Sequence, residues 1–433
     1  MSTQAQFHAS RRSKIKRGFA LSLLITLVFV TSVSSTVRAD VVTRWNEIAT
    51  TVITPPVTTL APPHQARIYA LMHVAIHDAL NAIERRSRPY ALASRPDLGA
   101  SPEAAVATAA YRVLVQAIPA QQALLEAEYQ AALASIPAGE ARLRGVVIGQ
   151  AAAAVIISLR SADGSTAQVS YTPGTEPGDW QPTPPGLLPA LAPGWGDVTP
   201  FALRIGAQFR PAPSPYFDLT SAAYTREYRE IKSIGRVDST TRTAEQSEIA
   251  RFWYESSPVG WNRIARNVAA AQGLDLWANA RLFGLVNLAL ADGYISSFEA
   301  KYFYNFWRPV TAIRGGDRDG NPRTSADAEW TSFLVNPPIP DNSSGHAVAG
   351  AAIAQVLEQF FDNDNIYFTT TSGAPFPGLT RSFTSFSQAA QENADSRVYA
   401  GIHFRSATRD GLRQGAKIGR YIFNHFLKPV RSQ

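Results

Sequence analysis

Three short stretches hold the side chains most able to do chemistry. In Lys301-Tyr-Phe-Tyr-Asn-Phe-Trp-Arg308-Pro309 two cations stand seven residues apart among aromatic neighbours. Seven residues is about two helical turns, so the spacing predicts both cations on one helix face, aimed at one point, with Pro309 stopping the helix. Tyr302, Phe303, Phe306 and Trp307 predict a largely dry surface, and buried cations need something negative to meet them. An anion therefore belongs there. In Pro340-Asp-Asn-Ser-Ser344-Gly345-His346 an irregular run turns into a helix. This brings a hydroxyl, a glycine N–H and an imidazole to a helix N-terminus, where orphan N–H groups and the dipole favour an anion. In Ser396-Arg397-Val-Tyr-Ala-Gly401-Ile-His403 a third cation precedes a histidine by six residues. On an unbroken helix these two side chains would diverge by about 120°, so their convergence requires a backbone break, expected at Gly401. Taken singly, each stretch also has a bland reading: exposed cations, Ser343 or Ser344 as an ordinary cap, a surface Arg and His.

The elements that must position these groups are helical. Apolar residues recur at helical spacing from His64 to Arg86, and alanine-rich helical patterns follow at about 102–117, 120–135 and 139–161. They return at about 219–233, 242–256, 261–271, 274–307, 345–361, 383–394 and 408–427. Between them, Asp163 to about Asp218 is rich in Pro, Gly, Ser and Thr, with Trp180, Trp195, Phe201 and Phe209 scattered through it. A loop of that length is expected to be a packed cover over something functional. Strand patterning is confined to Gln168 to Tyr171 and Tyr367 to Thr371, a hairpin at most. The fold class predicted is all-α, a helical bundle with long irregular Pro/Gly-rich covering loops.

Composition narrows the chemistry. The chain has no cysteine, which excludes disulfides, zinc-thiolate sites and thiol catalysis. Residues 1–39 read as an export signal, with a basic start (Arg11, Arg12, Lys14, Lys16, Arg17), an apolar run from Phe19 to Val33 and Val37-Arg38-Ala39 as cleavage site. That segment carries six cations and no acid, so removing it takes the net charge of +7 to near +1. The basic balance then argues for neither nucleic acid nor membrane surface. No other stretch reads as long and apolar enough to cross a bilayer. The remainder, 40–433, is expected to be one domain. It divides into 40–217, an N-terminal helical layer with its covering loop, and 218–433, the core with the three stretches; a periplasmic or extracellular location follows from the leader. A homodimer through the N-terminal helices is compatible with the sequence and not shown by it. His73 and His77, four residues apart, read as hydrogen-bonded imidazoles of a buried helix, and Asp317, Asp319 and Asn321 as a turn.

In this order and with these spacings, the three stretches resemble the K-x6-R-P, P-S-G-H and S-R-x5-H signature of the phosphatidic acid phosphatase type 2 and haloperoxidase superfamily. Ala291-Asp292-Gly293, Phe298, Phe306-Trp307-Arg308-Pro309 and His73-Val-Ala-Ile-His77-Asp78-Ala-Leu-Asn81 look like its vanadium-dependent haloperoxidase branch. The resemblance implies that Lys301, Arg308, Arg397, Ser344 and the Gly345 N–H hold a tetrahedral oxyanion. It implies His403 as the axial partner, attached to vanadium when the anion is vanadate, and His346 opposite as acid and base. The activity implied is oxidation of halide by hydrogen peroxide, with Lys301 polarising the peroxide and an organic acceptor consuming the hypohalous acid. With phosphate in the same cage, the alternative is an acid phosphatase acting on a phosphate ester through a phosphohistidine at His403. A second alternative is an oxyanion-binding protein without catalysis. The sequence departs from the pattern in having Ser343 before Ser344 and Ala407 four residues after His403, where the family often has Asp; Asp410 is the candidate substitute. Phe298 and Ile339 are the expected substrate-pocket residues, apolar but altered from either halide type.

Overall fold

Two helices lack a polar face, and a helix apolar all round belongs in the centre of a bundle. One is α2, Pro62–Asn81, and the other is α9, Leu276–Tyr304; nearly every side chain along both is buried. A computed structural model describes residues 40–55 and 60–430. The segment 1–39, read as an export signal, lies outside the described residues. Around α2 stand α1 (Val41–Ile53), α3 (Pro102–Ala117) and α5 (Glu140–Leu159), with α4 (Gln122–Ala134) packed on α3. The chain then runs through a long irregular segment into α6 (Ala222–Ile234), α7 (Ala244–Phe252), α8 (Ser257–Ala271) and α9. It ends with α10 (Pro309–Arg314), α11 (Gly345–Phe361), a hairpin of β1 (Phe368–Thr371) and β2 (Thr380–Phe383), α12 (Phe386–Tyr399) and α13 (Arg405–His425). The expected all-α class holds, with this two-stranded hairpin as the sole sheet among the described residues.

The packing is set by small residues. Gly411, Gly415 and Gly419 recur every four residues along α13, and a Cβ at Gly415 would sit 2.2 Å from the Val348 carbonyl oxygen of α11. Only glycine permits that approach, so α11 and α13 lie backbone against backbone and their shared end is rigidly placed. Gly145 and Gly149 of α5 do the same against α3, where added Cβ atoms would meet the Ser101 and Ala105 carbonyl oxygens at 2.4 and 2.5 Å.

Two helices were not foreseen. Ahead of His64, where no helix was predicted, lies α1: the Asp40 carboxylate accepts from Thr43 N at 2.8 Å, and Trp45, Ile48, Ala49 and Val52 are buried. Pro309 opens α10 rather than ending a helix, because proline's fixed φ suits a first helical position. Gln168 to Tyr171 forms no strand; that run is largely exposed, and β1 pairs instead with β2, Phe368 opposite Phe383. Contrary to the sequence reading, α5 is by length and composition apolar enough to cross a membrane; here it packs on α3 through its glycines.

The segment after α5 is the cover that its aromatics predicted. Trp180, Trp195 and Phe201 are buried. Asp292 in α9 accepts the backbone N–H groups of Phe201, Ala202 and Leu203, each at 2.7 Å. Backbone bonds Trp180 N to Asn305 O and Trp307 N to Gly178 O, both 2.8 Å, pin the cover to the corner following α9.

Candidate active site

Lys301 lies in the last turn of α9 and Arg308 just beyond it, but they are not on one helix. Asn305 adopts φ 51°, ψ 30° at the C-cap, a left-handed conformation that asparagine tolerates better than most side chains. Arg308 then precedes proline and is extended, as that position demands. The two cations therefore converge across a corner instead of along a helical face. Both are fully buried. Phe306 and Trp307 are buried beside them, whereas Phe303 is exposed on the outer side with the Arg210 guanidinium 3.4 Å from its ring centroid.

The segment 339–345 crosses directly in front of this corner. Lys301 Nζ donates to the Pro340 and Asp341 carbonyls at 2.8 and 2.9 Å, and Arg308 Nε donates to the Ile339 carbonyl at 2.7 Å. An ammonium has three protons, so one N–H of Lys301 is left over. The chain then enters α11 with Ser344 at the N-cap position, yet its hydroxyl caps nothing: Oγ is buried and has no partner. Ser343 is occupied elsewhere, donating to Gln414 of α13. The ordinary-cap reading thus fails for both serines.

The third stretch breaks where a break was needed. Helix α12 ends at Tyr399 and Gly401 has φ 79°; a Cβ there would lie 2.1 Å from the Gly235 carbonyl oxygen. The turn swings His403 back toward Arg397, and Phe404 caps α13. His403 Nε2 lies 3.2 Å from Arg308 Nη1, and its Nδ1 lies 2.8 Å from Asp341 Oδ1. Asp410, the expected carboxylate partner, does not reach the imidazole; it accepts from Asn342 Nδ2 at 2.7 Å and from Arg413. Ala407 is buried and contributes its carbonyl to Ser344 N at 3.0 Å. The carboxylate is supplied from the other side of the cage, on a different loop.

A fourth wall went unread. The turn Trp253-Tyr254-Glu255 between α7 and α8 accepts from Arg397 Nη1 through the Trp253 carbonyl at 3.3 Å and faces His346 Nε2 with the Glu255 carbonyl at 3.1 Å. The Tyr254 ring lies 5.5 Å from the Arg397 guanidinium. A carbonyl can only accept, so His346 carries its proton on Nε2 and offers Nδ1 as a base. The signal for this turn was slight: an aromatic pair and an acid just ahead of Ser256-Ser257-Pro258. For Asp341 it was plainer, an acid inside the serine-histidine stretch itself.

The electrostatics ask for an anion. Burial, then Arg308, pushes the Lys301 ammonium well below its usual range. Burial holds the Arg308 and Arg397 guanidiniums at about 10. Burial, then neighbouring cations, drives both imidazoles well below 6.5, with Arg397 the first of those neighbours for His346 and Arg308 for His403. The one carboxylate among these groups, Asp341, is pushed up to about 7 by burial, against the pull of Arg308 and Lys301. Buried Arg308 Nη2, Arg397 Nε and Ser344 Oγ have no partner. Unpaired buried donors are costly, and three cations facing one carboxylate leave positive charge unmet. A tetrahedral oxyanion would satisfy all of them with charge-assisted bonds. Among the described residues there is no cluster of three or more His, Asp or Glu able to hold a bare metal cation.

Phe298, one turn before Lys301 on α9, and Ile339, whose carbonyl holds Arg308, are both buried. The histidines of α2 lie apart from the cage and are structural: His73 Nε2 meets Asn46 at 2.7 Å, and His77 meets Ser87 at 2.7 Å and Asp78 at 3.0 Å. The Asp319 to Asn321 stretch is a turn, with Asn321 N donating to Asp319 Oδ1 at 2.8 Å.

Comparison with known proteins gives the company this chain keeps. Residues 281–432, spanning Lys301 to His403, match a family model described as the VCPO second helical-bundle domain. A vanadium chloroperoxidase of Curvularia inaequalis is 26% identical over 470 residues, 81% of this chain and 76% of that one. Among solved structures, a bacterial vanadium-dependent iodoperoxidase superposes with TM-score 0.78 at 28% identity, covering 90% of this chain and 97% of the other. A holo-type bacterial vanadium-dependent chloroperoxidase at 21% identity, TM-score 0.72, covering 88% and 95%, shares the fold.

Proposed function

From the premise that this chain is a relative of the vanadium haloperoxidases, we propose that it oxidises halide with hydrogen peroxide at a vanadate held by His403. The observation that carries this reading is the set of unpartnered buried donors on Arg308, Arg397 and Ser344, gathered with Lys301 around the Nε2 edge of His403. They fit a tetrahedral oxyanion with a high negative charge. Lys301, Arg308, Arg397, the Ser344 hydroxyl and the Gly345 N–H would hold its oxygens, and His403 Nε2 would bind its central atom. Bound there, vanadate would supply a Lewis-acid centre that activates peroxide toward halide without changing its oxidation state.

The chain's own residues do the rest. His346 Nδ1, left basic because Nε2–H is committed to the Glu255 carbonyl, accepts a proton from incoming peroxide and returns one as the product leaves. The remaining N–H of Lys301 would be free to meet an oxygen of the bound anion or of incoming peroxide. Buried Phe298 and Ile339 keep bulk water from that point. The cover clamped by Asp292 holds α9 against solvent on its other side. We place the protein outside the cytoplasm, in the periplasm or beyond, on the strength of the basic and apolar leader.

The test uses orthovanadate, peroxide and bromide with a phenol dye. Bromination that depends on added vanadate is the expected outcome. Hydrolysis of p-nitrophenyl phosphate, inhibited by vanadate and unaccompanied by bromination, would replace this reading with the phosphatase one. A folded protein showing neither activity would leave only oxyanion binding.

A further inference from the structure

The contacts of His403 fix more than its position. A guanidinium can only donate, so the 3.2 Å approach of Arg308 Nη1 leaves Nε2 as the acceptor, with a lone pair. A neutral imidazole must then carry its proton on Nδ1, which donates to Asp341 Oδ1 at 2.8 Å. The Tyr216 hydroxyl donates to the other oxygen, Oδ2, at 3.2 Å. Both carboxylate oxygens accept, which is the ionised form, and all three side chains are buried.

We infer that Asp341 is the positioning residue of His403, holding it as the Nδ1–H tautomer with the Nε2 lone pair turned to the anion, in place of a carboxylate on α13. Helix α13 has Ala407 one turn after His403, and Asp410 further on is turned to a different task. Through Asn342, Asp410 braces the loop that carries Asp341, while Arg413 on the same helix holds its other oxygen. Gln414 braces the next residue through the Ser343 hydroxyl. The carboxylate that sets the imidazole and the Ser344 and Gly345 groups that hold the anion thus share one segment, 341–345, pinned to α13 at three points, Asp410, Gln414 and the Ala407 carbonyl. Anything that moves this segment moves both ends of the site together.

This deepens the vanadate reading and rests on it for the identity of the anion. Two anions separate the roles. Vanadate accepts a fifth ligand readily and is held partly through Nε2, so its affinity follows the basicity that Asp341 lends the imidazole. Phosphate is held by charge and hydrogen bonds. Removing a negative charge from a cage of three cations leaves phosphate binding unchanged or tighter. In titrations of the folded Asp341→Asn protein, orthovanadate affinity should fall about 10- to 100-fold while inorganic phosphate affinity holds, so their ratio falls by that factor. Equal ratios in wild type and variant, or parallel loss of both anions, would overturn the inference and leave Asp341 a structural residue. If the variant does not fold, ¹⁵N spectra of the wild-type histidines decide: an Nδ1–H tautomer at His403 is expected, and an Nε2–H tautomer refutes it. Wild-type protein that binds neither anion would instead defeat the vanadate reading from which this one starts.

Discussion

The half of the molecule around α2 and the half around α9 are built alike and used differently. Each has a buried central helix carrying one aspartate that catches three consecutive backbone N–H groups. Asp78 takes those of Tyr90, Ala91 and Leu92 at 2.7, 2.7 and 2.8 Å, as Asp292 takes those of residues 201–203. Each has a helix pair packed through glycines, α3 with α5 and α11 with α13. The Tyr90 hydroxyl even donates to the Phe201 carbonyl at 2.7 Å, joining the two clamped segments. The difference is in what the polar groups are left to do. In the first half His77 is satisfied at both nitrogens by Asp78, Ser87 and Asn81. In the second, three donors around His403 end on nothing. Three such unmet donors, two of them on cations, at one site are a cost that a bound anion would repay.

The sharpest way to break this contrast is the same substitution in both halves. His403→Ala should abolish vanadate-dependent bromination, a loss above about 10³-fold, or roughly 4 kcal/mol of transition-state stabilisation. His77→Ala should leave turnover per folded molecule intact; both variants orphan buried partners, at roughly 1–3 kcal/mol of stability, so activity and not stability separates them. Measurable bromination by the first variant, or loss of specific activity in a folded second one, would erase the distinction. The clamps test the likeness instead. Asp78→Ala and Asp292→Ala each strand three N–H groups, part-buried in the first and buried in the second, about 3 kcal/mol at roughly 1 kcal/mol apiece. Denaturant melts should show comparable losses, and a large inequality would mean the two aspartates are not equivalent.

Much of this was legible in the sequence. The helices at 102–117 and 345–361 stand at their expected bounds, because apolar periodicity marks both and a capping serine, Ser101, opens the first. The break at Gly401 could be located because two side chains six residues apart cannot converge without one. What resisted reading was decided by groups distant in the chain. The corner at Asn305 depends on its pairing with the cover, 126 residues away from Asp179. Asp341 was in plain view, but nothing local says that its partner lies 62 residues on. Spacing arguments see one helix at a time, and both misreadings, the common face for Lys301 and Arg308 and the expectation at Asp410, came from assuming that neighbours in sequence supply one another.

Ligand linkage gives a smaller effect. Orthovanadate at about a hundred times its Kd should stabilise the wild type by about 2.7 kcal/mol, with hydrogen-exchange protection gained at 339–346 and around His403 and not along α2. Arg397 has no carboxylate in ion-pairing range among the described residues. Arg397→Met should therefore stabilise the ligand-free protein by about 1 kcal/mol while removing the ligand's contribution, since an unpaired buried charge is worse than an apolar side chain of similar length. A destabilised Arg397→Met would show that the cation is structurally paired after all.

The smallest effect concerns pH and isolates the clamp on α9. Burial raises the Asp292 carboxyl to about 6, against the three N–H groups that favour its ionised form. A group whose pKa is higher folded than unfolded binds its proton more tightly in the folded state. Its stabilising contribution is complete below the unfolded value near 4 and fades as pH rises through about 6. Acidifying from pH 7 to pH 5.5 should then add somewhat under 1 kcal/mol to stability through this residue alone. Asp341, raised to about 7, titrates over an overlapping window, so the quantity to measure is the difference in slope between wild type and Asp292→Asn. The variant should be less stable throughout and should gain less on acidification. A variant that follows the wild-type slope would mean that the three N–H bonds hold Asp292 ionised in the folded protein, and that this clamp works by charge, not despite it.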